Sequence, residues 1–429
     1  MLKKFIYFGA SRLIVLGGQL LMIPVAVTQL GTAGYGLFNL MLQGAQLIRL
    51  AALQGIAQVV TRDASRLVAA HGESRLYSAA LTIVVASLLL LAFVVIPLKP
   101  NIASAFHLST GQIWLMMAMA VAVSFFGLKQ VLLYNRQLGA YTVWDTMQVL
   151  GTTLSLILIG MFIPTAEAYA VAFTLVTLFV AVAMRHYAGA TMPRWKLIGE
   201  LSIEIRRYGL PLMLGEGLGW IVAVADRFQI AAMLNLEQTG IYVAAYQLFV
   251  APASMLGYAV AIVVQPSAFA GDTNSYRSRL EQASTLLVVL SLLYAVPTLL
   301  FGKQIFAIFF RHHAEVDTAL ILLLVLAGLT NSFLYLEIIA GKYARSPRLI
   351  LVAQASAALV ILVGNWFFLP RIGIVAAAMT TFVAYVLQII IIRALIGKDY
   401  CFRYFNISAA LAASSQLKAG VASALRKEP

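Results

Sequence analysis

The chemistry available to this chain rests on a few polar residues set inside apolar runs. Arg49, Glu216, Asp226 and Arg227 stand within such runs, Asn365, Thr380 and Thr381 stand in two others, and Lys129 and Glu337 sit near the ends of theirs. A charge at membrane depth costs roughly 2.5–3.5 kcal/mol on insertion scales, so each is a functional candidate by default. Arg49 offers a planar fork of donors suited to a phosphate group; the alternative is an internally paired or snorkelling arginine. Arg227 could face the same cavity, and Arg12, near the start of the first run, could receive an anionic headgroup or simply anchor the chain. Asp226 could take a coupling proton. With the oxygens of Asn365, Thr380 and Thr381 it could instead hold a small hard cation, although Asn and Thr often just bond a neighbouring helix. Asp226 and Arg227 are neighbours about 100° apart on a helix, so they do not point at one partner.

Gly215-Glu216-Gly217-Leu218-Gly219 resembles a nucleotide loop only superficially, because no strand precedes it and no Lys-Ser/Thr follows. Its glycines suit a kink or a close helix approach, which predicts a hinge at Gly215, Glu216 and Gly217. Lys129 and Glu337 are nearly equivalent in the repeat described below and could form an inner gate; a surface-snorkelling Lys129 is the plainer reading. His312-His313 lacks the further ligands a metal site needs. No metal site is expected beyond a possible sodium ion.

The elements positioning these residues are membrane helices. Of 429 residues, 62% are hydrophobic and 11% charged, against about 25% charged in a soluble domain. The apolar runs are long enough to cross a bilayer as helices. Twelve spans are expected, near 9–30, 35–60, 77–98, 113–134, 146–163, 167–184, 209–234, 240–265, 283–301, 318–340, 350–369 and 374–396. The single cysteine, Cys401, excludes a disulfide framework. The net charge of +14 reads as loop bias, and no nucleic-acid motif accompanies it. Of the 30 Lys and Arg, 23 fall on one side and 4 on the other, which places both termini and the central loop in the cytoplasm.

Two halves match at a constant offset of 206: Leu30 and Gly34 fall on Leu236 and Gly240, Phe162 and Pro164 on Phe368 and Pro370, and Arg136 on Lys342. Six spans per half make a parallel repeat. The expected architecture is an all-α membrane protein with two six-helix bundles around a central cavity. Residues 1–184 form the first bundle, 185–208 a cytoplasmic linker, 209–396 the second bundle and 397–429 a cytoplasmic tail.

The residues Asp226-Arg227, Ile230, Leu234, Thr239-Gly240-Ile241-Tyr242, Ala245-Tyr246 and Leu248 resemble spans 7 and 8 of polysaccharide flippases, the Wzx-type members of the multidrug/oligosaccharidyl-lipid/polysaccharide exporter superfamily. Leu30-Gly31-Thr32-Ala33-Gly34-Tyr35-Gly36-Leu37-Phe38 is similar to that family's first link, and Phe368-Leu369-Pro370-Arg371-Ile372-Gly373-Ile374 to its entry to span 12. The resemblance implies a flippase that moves polyprenyl-pyrophosphate-linked oligosaccharide across the bacterial inner membrane by ion-coupled alternating access, for O-antigen, lipopolysaccharide or similar surface polysaccharide. It implies no cofactor beyond a coupling Na+ or H+, contact with membrane lipid, and polymerase and other biosynthetic membrane proteins as partners. It also groups Asp226, Asn365, Thr380 and Thr381 as a sodium site. The alternative in the same superfamily is a multidrug cation antiporter, which would want an acidic cavity. An enzyme is not expected, since the outer loops are short and carry no paired carboxylates or nucleophile arrangement.

Overall fold

The computed structural model describes residues 2–184, 192, 195–269, 273–310, 315–344, 347–397 and 400–406. For 2–16, 19, 134–136, 138, 266–267, 273–274 and 347 it describes the backbone alone. Among the described residues there are thirteen α-helices, one π-helical turn and no strand. The helices are α1 (Leu2–His71), α2 (Glu73–Phe106), α3 (Thr110–Arg136), α4 (Leu138–Phe162), α5 (Ala166–Ala183), α6 (Trp195–Glu204), α7 (Leu210–Met233), α8 (Leu236–Phe249), α9 (Ala251–Phe269), α10 (Thr273–Phe310), α11 (Thr318–Tyr343), α12 (Pro347–Ile372) and α13 (Ile374–Leu395). Among the described residues, eleven helical stretches are long and apolar enough to cross a membrane. Large apolar side chains such as Phe93, Phe162 and Phe179 face outward, while alanines such as Ala376, Ala377, Ala378 and Ala384 are buried between helices. Small residues inside and large ones outside suit a lipid surround, where close helix approach replaces the hydrophobic drive of water.

The longest helix is not one straight rod. Gly31 carries φ 69° and ψ 174°, outside helical space, and breaks α1 where the sequence predicts its first link. Only glycine adopts that backbone without strain. The second expected link, beyond residue 60, is helical instead: α1 continues to His71, and Gly72 (φ 81°) reverses the chain into α2. Asp63 lies in this added stretch. It accepts from Arg62 and Arg66, and Arg62 also reaches Glu204 on α6. The expected linker 185–208 is likewise helical in its second part. α6 runs through a π-helical turn, Ile205–Gly209, directly into α7.

The expected eighth span is divided at Val250 into α8 and α9. Pro252 lacks the N–H that would bond the Leu248 carbonyl four residues back. The Tyr294 hydroxyl from α10 donates there instead, at 3.3 Å to Leu248 O and 3.0 Å to Phe249 O.

Packing divides the chain into two compact units. Unit 1 holds Met1–Ala244 with Ala307–Ala314, and unit 2 holds Ala245–Phe306 with Glu315–Pro429. In unit 1, α3 packs on α1 and α5, and α7 packs on α1; in unit 2, α11 packs on α9 and α13, and α13 on α12. Glycines permit the tightest crossings. In unit 1 the two links matched by the offset meet each other: a Cβ on Gly36 would lie 2.2 Å from Leu236 O, and one on Gly240 would lie 2.0 Å from Thr32 O.

Candidate functional site: charged residues inside two helical units

Arg49 sits on α1 where three helices of unit 1 converge. Its Nε donates to Gln46 Oε1 at 2.7 Å, one turn earlier on the same helix. Gly127 on α3 admits it: a Cβ there would be 3.7 Å from the Arg49 guanidinium and 2.7 Å from Leu53. Glu216 on α7 acts on the guanidinium electrostatically, and Gly217 beside it faces Leu50. The arginine is half-buried and Glu216 exposed. Beyond the Nε bond to Gln46 the guanidinium carries further N–H donors, the group chemistry that recognises a carboxylate or phosphate. Gln46 is a residue that the sequence reading passed over, although it lies three positions before Arg49 on the same helical face.

Asp226 and Arg227 lie deeper, 1% and 6% exposed. Asp226 accepts from the Tyr242 hydroxyl through one oxygen and from the Arg227 backbone N–H at 2.8 Å through the other. Arg227 interacts electrostatically with Tyr35, in the link that follows Gly31. Tyr242, fully buried on α8, is read from sequence only as part of the resemblance motif, without a role beside Asp226. A tyrosine sixteen positions from an intramembrane aspartate carries no local signal, because the contact depends on how α7 and α8 turn back on each other.

Within unit 2, Thr380 donates to Asn365 Oδ1 at 2.5 Å and to Ala377 O at 3.0 Å. Gly364 lets α12 and α13 close to this distance, since a Cβ there would stand 2.7 Å from Thr380. Thr381 Oγ1 is buried and, among the described residues, has no hydrogen-bond partner. Asn365 and Thr380 thus bond across helices, as polar residues between membrane helices commonly do.

The hinge and gate candidates have specific settings. Gly215, Glu216 and Gly217, the expected hinge, lie inside the α-helix α7. The departure from α geometry comes at Ile205–Gly209, where Gly209 crosses Gly55; a Cβ on Gly209 would be 2.3 Å from Gly55 O. Lys129 donates from Nζ to Ala181 O at 2.6 Å and stands over the Tyr77 ring. Ala181 belongs to the last turn of α5, whose carbonyls lack intrahelical donors, so a lysine satisfies both the charge and the helix end. Glu337 in unit 2 accepts from Arg393 Nε and from the Tyr404 hydroxyl, both at 2.7 Å. Lys129 and Glu337 are therefore each committed within their own unit. The side chain of Arg12, together with His312 and His313, lies outside the described residues.

A separate crevice of about 430 Å³ opens in unit 1 between the end of α1 and α6, lined by Asp63, Arg66, His71, Glu200 and Glu204 with Val59 and Leu67. Its charges largely pair with one another: His71 stands 3.5 Å from Glu200, and Asp63 sits between Arg62 and Arg66.

Fold and site together define a multi-pass helical membrane protein with charges placed inside its bundles. Solved structures share this fold. A lipid II flippase, MurJ, in its inward closed conformation aligns with 100% of this chain and 94% of its own, at TM-score 0.71 and 12% identity. An inward-facing multidrug-resistance transporter of the MATE family aligns with 88% of this chain and 94% of its own, at TM-score 0.66 and 14% identity. A Vibrio cholerae MATE transporter, VcmN in its bent form, aligns at TM-score 0.56 and 14% identity over 94% of this chain and 99% of its own. The profile of a family described as polysaccharide biosynthesis protein matches residues 1–270, and the chain belongs to that family. No curated protein matches it. The resemblance read from the Leu30–Phe38 and Asp226–Leu248 motifs therefore holds at the level of the family, and the structural neighbours are transporters rather than enzymes.

Proposed function

We propose that this protein is a flippase that carries a polyprenyl-pyrophosphate-linked oligosaccharide from the inner to the outer leaflet of a bacterial inner membrane, for O-antigen or a similar surface polysaccharide. Twelve spans in two parallel six-span repeats alternate access to a central cavity, with both termini in the cytoplasm. The observation that carries the reading is Arg49: a half-buried guanidinium inside unit 1, oriented by Gln46 and countered by Glu216, in a member of a polysaccharide biosynthesis family. The pyrophosphate displaces Glu216 and takes the guanidinium fork, while the sugars follow and the lipid tail stays in the bilayer. Arg227 and Arg12 extend the basic path. Asp226 supplies the coupling group, for H+ alone or for Na+ with Asn365, Thr380 and Thr381. The polymerase that consumes the flipped unit is the expected partner. The meeting of Gly36 with Gly240, residues from the two links matched by the offset, supports the repeat.

The second reading is the multidrug cation antiporter, favoured by the MATE neighbours and by the exposure of Glu216. Complementation separates them. In cells lacking their resident flippase, the wild-type chain restores surface polysaccharide and Arg49→Ala, though inserted at normal level, does not. Restoration by Arg49→Ala would remove Arg49 from the mechanism. Drug resistance without polysaccharide from the wild-type chain would favour the antiporter.

A further inference from the structure

After α13 the chain does not leave unit 2. Gly397, at φ 89°, turns it back, and Tyr400–Asn406 lies across three helices. On α10, Glu281 accepts from the Arg403 backbone N–H at 3.3 Å and from Asn406 Nδ2 at 2.6 Å. Ser284 donates to Arg403 O at 2.9 Å, and Thr285 Oγ1 accepts from the Asn406 N–H at 3.2 Å. On α11, Glu337 accepts from Tyr404, and Phe333 packs edge-on against the same ring. On α13, Arg393 donates to Phe402 O at 3.0 Å and lies 3.9 Å above the Tyr404 ring. Burial, and then the Glu337 carboxylate, holds the Tyr404 hydroxyl above the usual phenol range, so it remains a donor. One aromatic plug, Phe402, is buried; Arg403 and Phe405 are exposed.

The anchors are polar pins around a single plug, which is the composition of a contact that can open. The helix it holds also has a place to bend. Near its far end α10 packs directly on α11, where a Cβ on Gly302 would lie 2.9 Å from Ile321. Between that contact and the pins stands Pro297, inside the helix, which removes one i→i−4 hydrogen bond and weakens the rod at that point. At the pinned end, Glu281, Ser284 and Thr285 reach α11 and α13 through the strap.

We infer that Tyr400–Asn406 is a releasable latch that holds the first half of α10 to α11 and α13, and that the latch must open in each transport cycle so that this half of α10 can swing about Pro297. Substrate transport is read here on the flippase assignment made above; latch opening itself is not.

The chain carries one cysteine, Cys401, within the strap, and its thiol, half-buried beside Gly397 O, reports opening. In purified protein, maleimide labelling of Cys401 is expected to be about tenfold faster in Tyr404→Phe and in Glu281→Gln, the factor matching one lost hydrogen bond to a charged group. Equal labelling rates in wild type and both variants would overturn the latch. In a Cys401→Ser background, Thr285→Cys with Asn406→Cys forms a disulfide that fastens the strap. Oxidised cells are expected to lose surface polysaccharide and recover it on reduction. If the crosslink forms and polysaccharide is unaffected, opening is not part of the cycle. If the uncrosslinked wild type fails to restore polysaccharide while the labelling rates still differ, the latch stands and the flippase assignment falls.

Discussion

Gly240→Ala is the sharpest test of how unit 1 is held together. The added Cβ would lie 2.0 Å from Thr32 O and 3.2 Å from the Gly36 nitrogen. Real Cβ contacts essentially never fall below 3.0 Å, so the two backbones must part by about 1 Å. Both obstacles are main chain, which cannot rotate away, so the overpacking cost belongs at the upper end of the usual range, about 3 kcal/mol. Alanine returns roughly 1 kcal/mol of helix propensity at a mid-helix position, leaving a net loss of about 2 kcal/mol. Gly199→Ala is the control. It lies exposed on α6 with nothing within 4 Å, and should gain the propensity term alone. At about 2 °C per kcal/mol for a large chain, the detergent-solubilised variants should melt about 6 °C apart, with Gly240→Ala the lower. Gly36→Ala breaks the same crossing through Leu236 O, so the double variant should lose less than the sum of the two. Equal melting of Gly240→Ala and Gly199→Ala, or strict additivity of the pair, would refute the close crossing of these links.

The Tyr294 hydroxyl stands in for the N–H that Pro252 lacks. Tyr294→Phe should therefore cost about 1–3 kcal/mol by leaving carbonyls unsatisfied, and Pro252→Ala should reduce that cost in a double-mutant cycle of thermal stability; independence of the two would contradict the assignment. Glu216→Gln should tighten binding of a short-chain prenyl pyrophosphate several-fold, measured by isothermal titration, because the carboxylate competes for Arg49; weaker binding would mean that Glu216 positions the arginine instead. Asp226→Asn should leave transport in reconstituted vesicles insensitive to an imposed Na+ or H+ gradient, and a retained gradient response would move coupling elsewhere.

Much of the fold is written in single-residue chemistry that the sequence exposes. The Gly31 break, the placement of the apolar helices and the depth of Asp226 all follow from local rules, glycine at positive φ and apolar runs of membrane length. What escaped was chemistry supplied by a distant residue. Beyond residue 60 the continued helix meets α6 through Arg62, whose partner Glu204 is 142 positions away. At the division at Val250, the carbonyls beside Pro252 find their donor in Tyr294, 42 positions beyond that proline. Lys129 has the composition of a gate and the contacts of a helix cap, because the end of α5 needs a donor and lies within its reach. The π-helical turn at Ile205–Gly209 and its Gly209–Gly55 crossing were not legible either, since a glycine shows that something is close without showing what.

The sequence repeat and the packing do not divide the chain at the same place, and this bears on mechanism. By offset, α7 and α8 open the second half; by packing, α7 and the first part of α8 belong to unit 1. Arg49, Glu216, Asp226, Arg227 and Tyr242 therefore share one compact body, and α7 alone carries Glu216, Asp226 and Arg227. An ion that neutralises Asp226 changes its hold on Tyr242 and on the Arg227 backbone N–H. The same helix carries Glu216, ten residues away, whose charge acts on Arg49, the residue given to the pyrophosphate in the flippase proposal. On the proposed H+ reading, the coupling group Asp226 and the substrate-binding cation Arg49 both belong to unit 1; the Na+ reading would add Asn365, Thr380 and Thr381 from unit 2. α7 begins at the π-helical turn Ile205–Gly209, a local departure from α geometry whose Gly209 packs against the Gly55 backbone of α1.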